Sequence, residues 1–358
     1  MILNHWYISV CAVSILLTEV LRGGRVESRH LGSIAVCDAG GRLVASAGDP
    51  ETAAFWRSSM KPIQAMALVE SGALEALRLG EEALALACAS HNGEPLHVAV
   101  VDAMLGAAGL TPRHLGCGIH PPFSDPKNAS AYEDMLARGE RPDARHNNCS
   151  GKHAGMLVAC KHRALPLDSY LDPAHPHQAR IRALVSAMSG AAPEALIPGV
   201  DGCSAPVYAL TLSQMATAFA RLANPPAGLA PICRRIVKAM TGHPALIHGT
   251  GGFDSDLMAA AGDRVLSKRG AEGVACMALL RQGWGVAIKA ADGAGRATPP
   301  AAVEVLRQLG ILDPKDLSAL AGHARSVLRN SAHRVVGEIR TAAFTLARES
   351  RTASPDSR

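Results

Sequence analysis

Short strand-like runs lie near both ends of this chain, and helical patterns dominate its middle. The early run SIAVCDAGGRLVASAGD, residues 33–49, predicts a two-stranded hairpin, because Ala-Gly-Gly supplies the positive φ angles of a tight turn. Late in the chain, DRVLSKRG, GVACMALL and GWGVAIKAADG predict three more strands separated by turns. Strands this far apart in sequence indicate an α+β fold, with one antiparallel sheet flanked by helices and a helical lobe inserted between its parts.

The same patterns divide the chain into regions. Residues 18–345 are predicted to form a single domain, with a sheet lobe at 18–60 and 262–345, a mainly helical lobe at 61–261 and a cleft between the lobes. Residues 1–17 are predicted to be an apolar extension outside the domain, and residues 346–358 a disordered polar tail. The apolar run WYISVCAVSILL is too short to span a membrane and lacks the basic flank of a signal peptide.

Charge and cysteine content argue against several classes of protein. The net charge of the 358 residues is only +5 and both signs are interspersed, so we expect no nucleic-acid partner. The nine cysteines are scattered, odd in number and without a Cys-x-x-Cys pair, which favours a reducing compartment. We therefore expect a cytoplasmic protein with no membrane partner.

Two serines lie where an activated nucleophile is plausible. In RSSMKP, Ser58 and Lys61 are three residues apart and share one face if the run is helical, so the lysine could act as base for the serine. A helix start is an equally physical explanation, since Ser is a favoured cap and Pro is tolerated in the first turn. The run CASH adds Ser90 beside His91 near a predicted helix end, where a helix terminus would again suffice.

Two polar clusters bring together residues that bind metals. The run NNCSGKHAGM places Cys149, Lys152 and His153 at the start of a predicted helix, with Cys149 and His153 spaced i, i+4. The run DGCSAP contains Cys203 close to Asp201. A metal site explains this pattern about as well as a helix start capped by Asn and Ser, in which Cys149 only fills space.

The late run SKRG contains the third informative motif. In enzymes with a Ser-x-x-Lys nucleophile, a Lys-x-Gly triplet on a strand forms the opposite wall of the pocket, and Lys268 and Gly270 fit that pattern. Ser-x-x-Lys after a hairpin, a helical insert and then Lys-x-Gly before the last helix, PAAVEVLRQLGIL, is the order of the penicillin-recognising fold. The three features together favour a catalytic serine more strongly than any one motif does.

From about residue 18 to 340, the chain resembles the rhizobial-type L-asparaginase II family, the Ser/Lys asparaginases. The resemblance is carried by RGGRVESRH, RSSMKPIQA, CASH, CGIHPP, NCSGKHAGML, HPHQARI, VDGCSAP, GHPALI and KRGAEG. It implies a fold like those of serine β-lactamases and glutaminases. It also implies hydrolysis of L-asparagine to L-aspartate and ammonia through an acyl-enzyme.

The resemblance also implies roles for individual residues. The implied catalytic residues are Ser58 paired with Lys61 and Ser90 paired with Lys268, and either serine could attack. The implied ligands of one zinc ion per chain are Cys149, Lys152 and Cys203. The implied substrate-binding residues are Arg57, His91, His153 and Asp201.

Two alternative functions stay open at this stage. One is a penicillin-recognising peptidase or β-lactamase, although the chain shows no export signal and no Ser-x-Asn motif in the helical insert. The other is a non-catalytic zinc-binding or amino-acid-binding module of the same fold, which has little need for two activatable serines. Departures from the family pattern at Val200, SSMK and HNGE leave the preference for asparagine open. We also expect a homodimer.

Overall fold

The computed structural model describes residues 13–122 and 130–349. Its strands are β1 Ile15–Arg22, β2 Arg25–Asp38, β3 Leu43–Ala47, β4 Ala53–Phe55, β5 Pro198–Val200, β6 Pro206–Thr211, β7 Val265–Gly270, β8 Val274–Leu279, β9 Trp284–Ala290, β10 Arg325–Arg329, β11 Val335–Thr341 and β12 Ala347–Arg348. Its α-helices are α1 Lys61–Ser71, α2 Ala73–Ala76, α3 Glu81–Ala87, α4 Pro95–Ala107, α5 Ser130–Ala137, α6 Ser150–His162, α7 Pro176–Ser189, α8 Leu212–Ala223, α9 Ala230–Gly242, α10 Phe253–Ala261, α11 Thr298–Gln308, α12 Pro314–Ala319 and α13 Ala321–Ala324.

The main sheet is assembled from both ends of the chain. Its strands follow the order β10-β11-β1-β2-β9-β8-β7, and β3 and β12 extend it beside β2. The long strand β2 organises the sheet, because its first half pairs with β1 and its second half pairs with both β3 and β9. All these pairings are antiparallel, which confirms the predicted sheet, the hairpin at 33–49 and the three late strands.

Helices cover both faces of this sheet. Side chains along a strand alternate between faces, so Ala35 and Cys37 of β2 enter the core shared with α8 and the helical lobe. Ile34 and Val36 enter a second core, against α11. The α+β architecture predicted from the sequence is therefore confirmed.

Most of the helices, α1 to α10, lie in the chain between β4 and β7 and form a helical lobe. Helix α1 packs against α6 and α7, and α3 packs against α6. A small sheet, β4-β6-β5, leads into this lobe. The N–H of Trp56 donates to the carbonyl of Tyr208 at 3.0 Å, which fixes the chain just before a 3-10 turn, Arg57–Met60, and α1.

The structured chain extends beyond the predicted domain boundaries at both ends. Strand β1 begins at Ile15, because Ile15 pairs with Gly32 of β2. Strand β12 pairs with β3, so the start of the predicted tail is structured. Residues 1–12 and 350–358 of the expected extension and tail lie outside the described residues. None of the helices in the described ranges combines the length and apolar character needed to cross a membrane.

Candidate active site

The centre of the site is a contact between Lys61 and Ser90. Lys61 is the first residue of α1 and is fully buried, and Ser90 lies just after the C-terminal end of α3. The Nζ atom of Lys61 donates to Ser90 Oγ at 2.9 Å, and also to the carbonyls of Ala89 at 2.5 Å and Asn148 at 3.2 Å. A lysine amine this close to a serine hydroxyl can act as its general base once it is neutral.

This pairing differs from the one that the family resemblance implied. Among the described hydrogen bonds, Lys61 bonds to Ser90, whereas the expected bonds of Lys61 with Ser58 and of Ser90 with Lys268 are not formed. The reason is the path of the segment after α3. The N–H groups of Ser90 and Asn92 donate to the carbonyls of residues 247 and 248 at 2.9 and 2.8 Å, which aligns this segment beside the start of α1.

Ser58 lies in the 3-10 turn that precedes α1, so it is on the helical run that the Ser-x-x-Lys spacing predicted. The preceding residue, Arg57, has a φ of +52°, an unfavourable backbone angle for a residue other than glycine. Its Nε atom donates to Asp201 Oδ1 at 2.7 Å, an ion pair that fixes Arg57 in this conformation. Burial would raise the pKa of Asp201, but the charges of Lys152 and Arg57 hold it below its usual value.

Strand β7 brings Lys268 and Gly270 to the same region. Gly270 lies against the turn before α1, since an added Cβ would be 3.1 Å from the backbone of Ser59 and Trp56. The fully buried Lys268 donates from Nζ to the carbonyl of Arg269 at 2.7 Å. Burial lowers the pKa of Lys268 to about 8, with further lowering by nearby positive charges. A lysine with this pKa can lose its proton near neutral pH.

Cys149, Lys152 and Cys203 converge as the sequence suggested. Cys149 immediately precedes α6 and Lys152 lies in its first turn, whereas Cys203 comes from the loop between β5 and β6. The Nζ atom of Lys152 donates to Cys203 Sγ at 2.9 Å. A hydrogen bond from Cys203 lowers the pKa of Cys149 well below its usual range, which favours its thiolate. Burial alone would lower the pKa of Lys152, but the two cysteines raise it.

This donor set fits zinc only with the lysine included. Thiolates are good zinc ligands, and the lowered pKa of Cys149 favours the form that binds metal. Within the described residues, no group of three or more His, Cys, Asp or Glu side chains is placed to hold a metal ion. Lys152 would therefore be the third ligand, after losing the proton that it donates to Cys203.

Asn147 holds the turn that leads into α6, but the N-cap residue, Cys149, makes no side-chain capping hydrogen bond. Asn147 Oδ1 accepts the N–H of Cys149 at 2.9 Å, and Asn147 Nδ2 donates to the carbonyl of Cys117 at 2.8 Å. Asn147 therefore orients Cys149, and these contacts are compatible with a metal site at this helix. The eight described cysteines are all buried and free of disulfides.

His153 is buried one turn after Cys149, and its orientation is set by Tyr170. The hydroxyl of Tyr170 accepts the N–H of Gly116 at 2.8 Å and contacts His153 Nδ1 at 2.6 Å. Its other ring nitrogen, Nε2, is buried and has no hydrogen-bond partner in the described chain. Burial and two nearby lysines hold the pKa of His153 well below its usual value. His153 is therefore a neutral imidazole with one unpaired, buried ring nitrogen.

His91 has a different environment from the one implied for a substrate-binding residue. It is fully buried, accepts the N–H of Gly93 at 3.1 Å and contacts Ser150 Oγ at 3.0 Å. Its ring stacks on that of His97, with centroids 4.9 Å apart. These contacts join the Ser90 segment to α6, which is a scaffold role, and direct binding of substrate by His91 stays a prediction.

Several residues at the site had no signal in the sequence. The carbonyls of Ala89 and Asn148 bind Lys61, but backbone acceptors carry no residue-type signature. Tyr170 and the buried Asp254 act through neighbours distant in sequence. Only a tertiary structure could have identified them.

Several solved structures are similar to this chain. A structure of Mglu in its native form in 4.3 M NaCl shares 16% identity at a TM-score of 0.36, covering 80% of this chain and 62% of Mglu. A β-lactamase from Mycobacterium bovis shares 11% sequence identity at a TM-score of 0.38, and the match covers 77% of this chain and 94% of the β-lactamase. A putative β-lactamase from Bacteroides dorei DSM 17855 shares 12% sequence identity at a TM-score of 0.39, and the match covers 77% of this chain and 93% of that protein. Values this low carry no functional information.

The sequence family gives a more definite result. No curated protein sequence matches the chain significantly. The L-asparaginase II family profile, however, matches residues 18–341, which is nearly the whole chain and includes every residue of the site described above. The protein is therefore a member of the L-asparaginase II family.

Proposed function

We propose that this protein hydrolyses L-asparagine to L-aspartate and ammonia through a serine activated by lysine. Membership of the L-asparaginase II family supports a hydrolytic amidase. The observation that carries the proposal is the partly buried hydrogen bond of 2.9 Å between Lys61 and Ser90. Burying a lysine costs free energy, and a lysine in contact with a serine hydroxyl is an arrangement suited to nucleophilic catalysis.

In the proposed reaction, the neutral amine of Lys61 takes the proton of Ser90 as Oγ attacks the carbonyl carbon of the side-chain amide. Breakdown of the tetrahedral intermediate returns a proton to the nitrogen, which leaves as ammonia. Water then hydrolyses the aspartyl ester and frees the serine. Lys268, whose pKa is lowered to about 8, is available to exchange protons near neutral pH. Ser58, on the turn before Lys61, is the second candidate nucleophile.

A free amino acid would complement the charges at this site. The Arg57–Asp201 ion pair is partly exposed, with 25% and 10% of the two side chains accessible, and presents one positive and one negative group. We assign Arg57 to the α-carboxylate and Asp201 to the α-ammonium group of the substrate. The unpaired Nε2 atom of His153 is a further polar atom that a substrate group would satisfy.

Zinc is part of the proposal. Cys149, Cys203 and Lys152 would hold it, and when bound it would supply a positive charge that helps to orient the substrate. Activating water is not required of it, since a serine already provides the nucleophile. The homodimer and the cytoplasmic location stay predictions.

The direct test measures ammonia release from asparagine and glutamine, and hydrolysis of a chromogenic β-lactam. We expect asparagine to be the preferred substrate, and we expect hydroxylamine to divert the acyl-enzyme to aspartate β-hydroxamate. The matched control is Lys61→Met, which keeps a chain of similar length but no amine. Hydrolysis of the β-lactam alone would establish the penicillin-recognising alternative, and inactivity on all three would favour the binding module.

A further inference from the structure

Asp254 is a buried carboxylate that the proposed reaction does not use. It lies in the first turn of α10, where its side chain is only 2% exposed. A buried carboxylate is costly unless hydrogen bonds and positive charges compensate it. Among the described residues, the hydrogen bonds and positive charges that stabilise the Asp254 carboxylate come from β7 and from His248.

Strand β7 is the last strand of the main sheet, so one of its edges faces α10 instead of another strand. At Arg269 the N–H donates to both carboxylate oxygens of Asp254, at 3.1 and 3.0 Å. The hydroxyl of Ser267 donates to Asp254 Oδ1 at 2.7 Å. Asp254 therefore holds the strand on both sides of Lys268.

The same edge holds the Lys268 ammonium group. In an antiparallel strand the N–H and C=O of one residue point to the same edge, and at Arg269 they are bound by Asp254 and by Lys268 Nζ respectively. Nζ lies 2.7 Å from that carbonyl and 3.7 Å from Asp254 Oδ2. The carboxylate is thus the nearest compensating negative charge for Lys268.

We propose that Asp254 is a positioning residue for Lys268: its carboxylate keeps the amine of Lys268 at the edge of β7, against the carbonyl of Arg269. The inference rests on the proposed function, since it assigns Lys268 a proton-transfer role there. It adds a residue from outside the motifs that identify the family's site.

Other groups also influence the proton on Lys268. Those that interact with it electrostatically are Lys61 from α1, Cys88 after α3, Cys149 before α6, His248 before α10, Arg269 of β7 and Cys276 of β8. Burial and the positive charges of Lys61 and Arg269 lower the pKa of Lys268, whereas Asp254 raises it. Removing the Asp254 charge should therefore make Lys268 lose its proton at lower pH.

The first measurement is the pH dependence of kcat/KM for asparagine in wild type, Asp254→Asn and Ser267→Ala. Asp254→Asn should shift the ascending limb to lower pH by about one pH unit or more, the usual effect of removing an opposite charge at this range. Ser267→Ala removes a hydrogen bond to the same carboxylate but no charge, so its limb should stay at the wild-type position. Superimposable limbs in wild type and Asp254→Asn would overturn the proposal, as would an equal shift in Ser267→Ala.

The second measurement needs no activity, so it separates this inference from the proposed function. Thermal unfolding is compared in wild type, Asp254→Asn, Lys268→Met and the double variant. Each single variant leaves a buried charge without its partner, so the double variant should melt above Asp254→Asn. If the decrease in melting temperature of the double variant equals the sum of the decreases of the two single variants, Asp254 does not act on Lys268. This conclusion would hold even if the wild-type protein hydrolyses asparagine normally.

Discussion

Three lysines are buried at this site, and each is compensated by different partners. Lys61 donates to Ser90 and two carbonyls, Lys152 donates to Cys203, and Lys268 lies between a carbonyl and Asp254. Three positive charges in one region would repel each other unless each had its own acceptors. The different partners match the three tasks proposed for these lysines: activation of a serine, binding of a metal and exchange of protons.

The first residue-scale prediction concerns the serine and its base. We expect Ser90→Ala and Lys61→Met each to lower kcat/KM by roughly a thousandfold or more, and the double variant to be no worse, because the two residues act as a unit. Lys61→Arg should not rescue activity, since a guanidinium stays protonated at any working pH. Mass spectrometry of the trapped ester should find it on Ser90. An inactive Ser58→Ala beside an active Ser90→Ala would instead assign the attack to Ser58.

The second residue-scale prediction concerns pH. Proton acceptance requires a neutral amine, so kcat/KM for asparagine should rise with pH through the pKa of Lys268, lowered to about 8. Below that pH the lysine is protonated and activity falls. The measurement is a pH–rate profile of wild type beside Lys268→Met, which should lose this ascending limb. An unchanged limb in the variant would show that another group titrates.

The third residue-scale prediction concerns zinc. Purified wild-type protein should contain one zinc per chain by elemental analysis, and the Cys149→Ser, Cys203→Ser double variant should contain none. Cys233→Ser is the matched control, because Cys233 is an equally buried free cysteine in α9. If the wild-type protein contains no metal and keeps full activity after treatment with a chelator, the two cysteines only pack the interior and do not bind zinc.

At the scale of elements, the position of α6 determines the geometry of the proposed zinc site. Gly151 lies between two predicted ligands, Cys149 just before α6 and Lys152 within it, and an added Cβ would clash with the backbone carbonyl of Leu86 at the end of α3. The close approach of α3 and α6 thus requires glycine at this position.

We expect Gly151→Ala to lower the free energy of unfolding by about 1–3 kcal/mol, the usual cost of overpacking a tight contact. It should also lower zinc content, because α6 must move away from α3. Gly106→Ala is the control, since Gly106 also lies in a helix and an added Cβ would contact nothing within 4 Å. Chemical denaturation measures both variants, and equal stability of the two would contradict this account of the packing.

The elements also show what a sequence can and cannot predict. The hairpin at 33–49, β7 to β9 and α11 were predictable because their patterns are local. Strands β10 and β11 follow the helix predicted to close the domain, and their many charged residues give only a weak strand signal. The partner of Lys61 was not predictable, because it depends on pairing between the segment after α3 and residues 247 and 248.

At the scale of the whole molecule, the sheet depends on strands from both ends of the chain. Strand β11 pairs with β1 on one side and β10 on the other. We therefore expect truncation after residue 324, which removes β10 to β12, to abolish cooperative unfolding monitored by circular dichroism. Truncation after residue 349 removes no described strand and should leave the melting temperature within a few degrees of the full chain. Cooperative melting of the shorter chain would show that the remaining strands suffice.

The joining of distant strands has a consequence for how the protein is made. Thr341 at the end of β11 donates to the carbonyl of Leu17 in β1, a contact between residues 324 positions apart. A ribosome adds roughly 5–20 residues per second, so β11 is synthesised on the order of tens of seconds after β1. During that interval the apolar faces of the first hairpin lack most of their cover, which makes the nascent chain a natural client for chaperones. Lys268 is residue 268 of 358, so the proposed site is incomplete until about three quarters of the chain has been made.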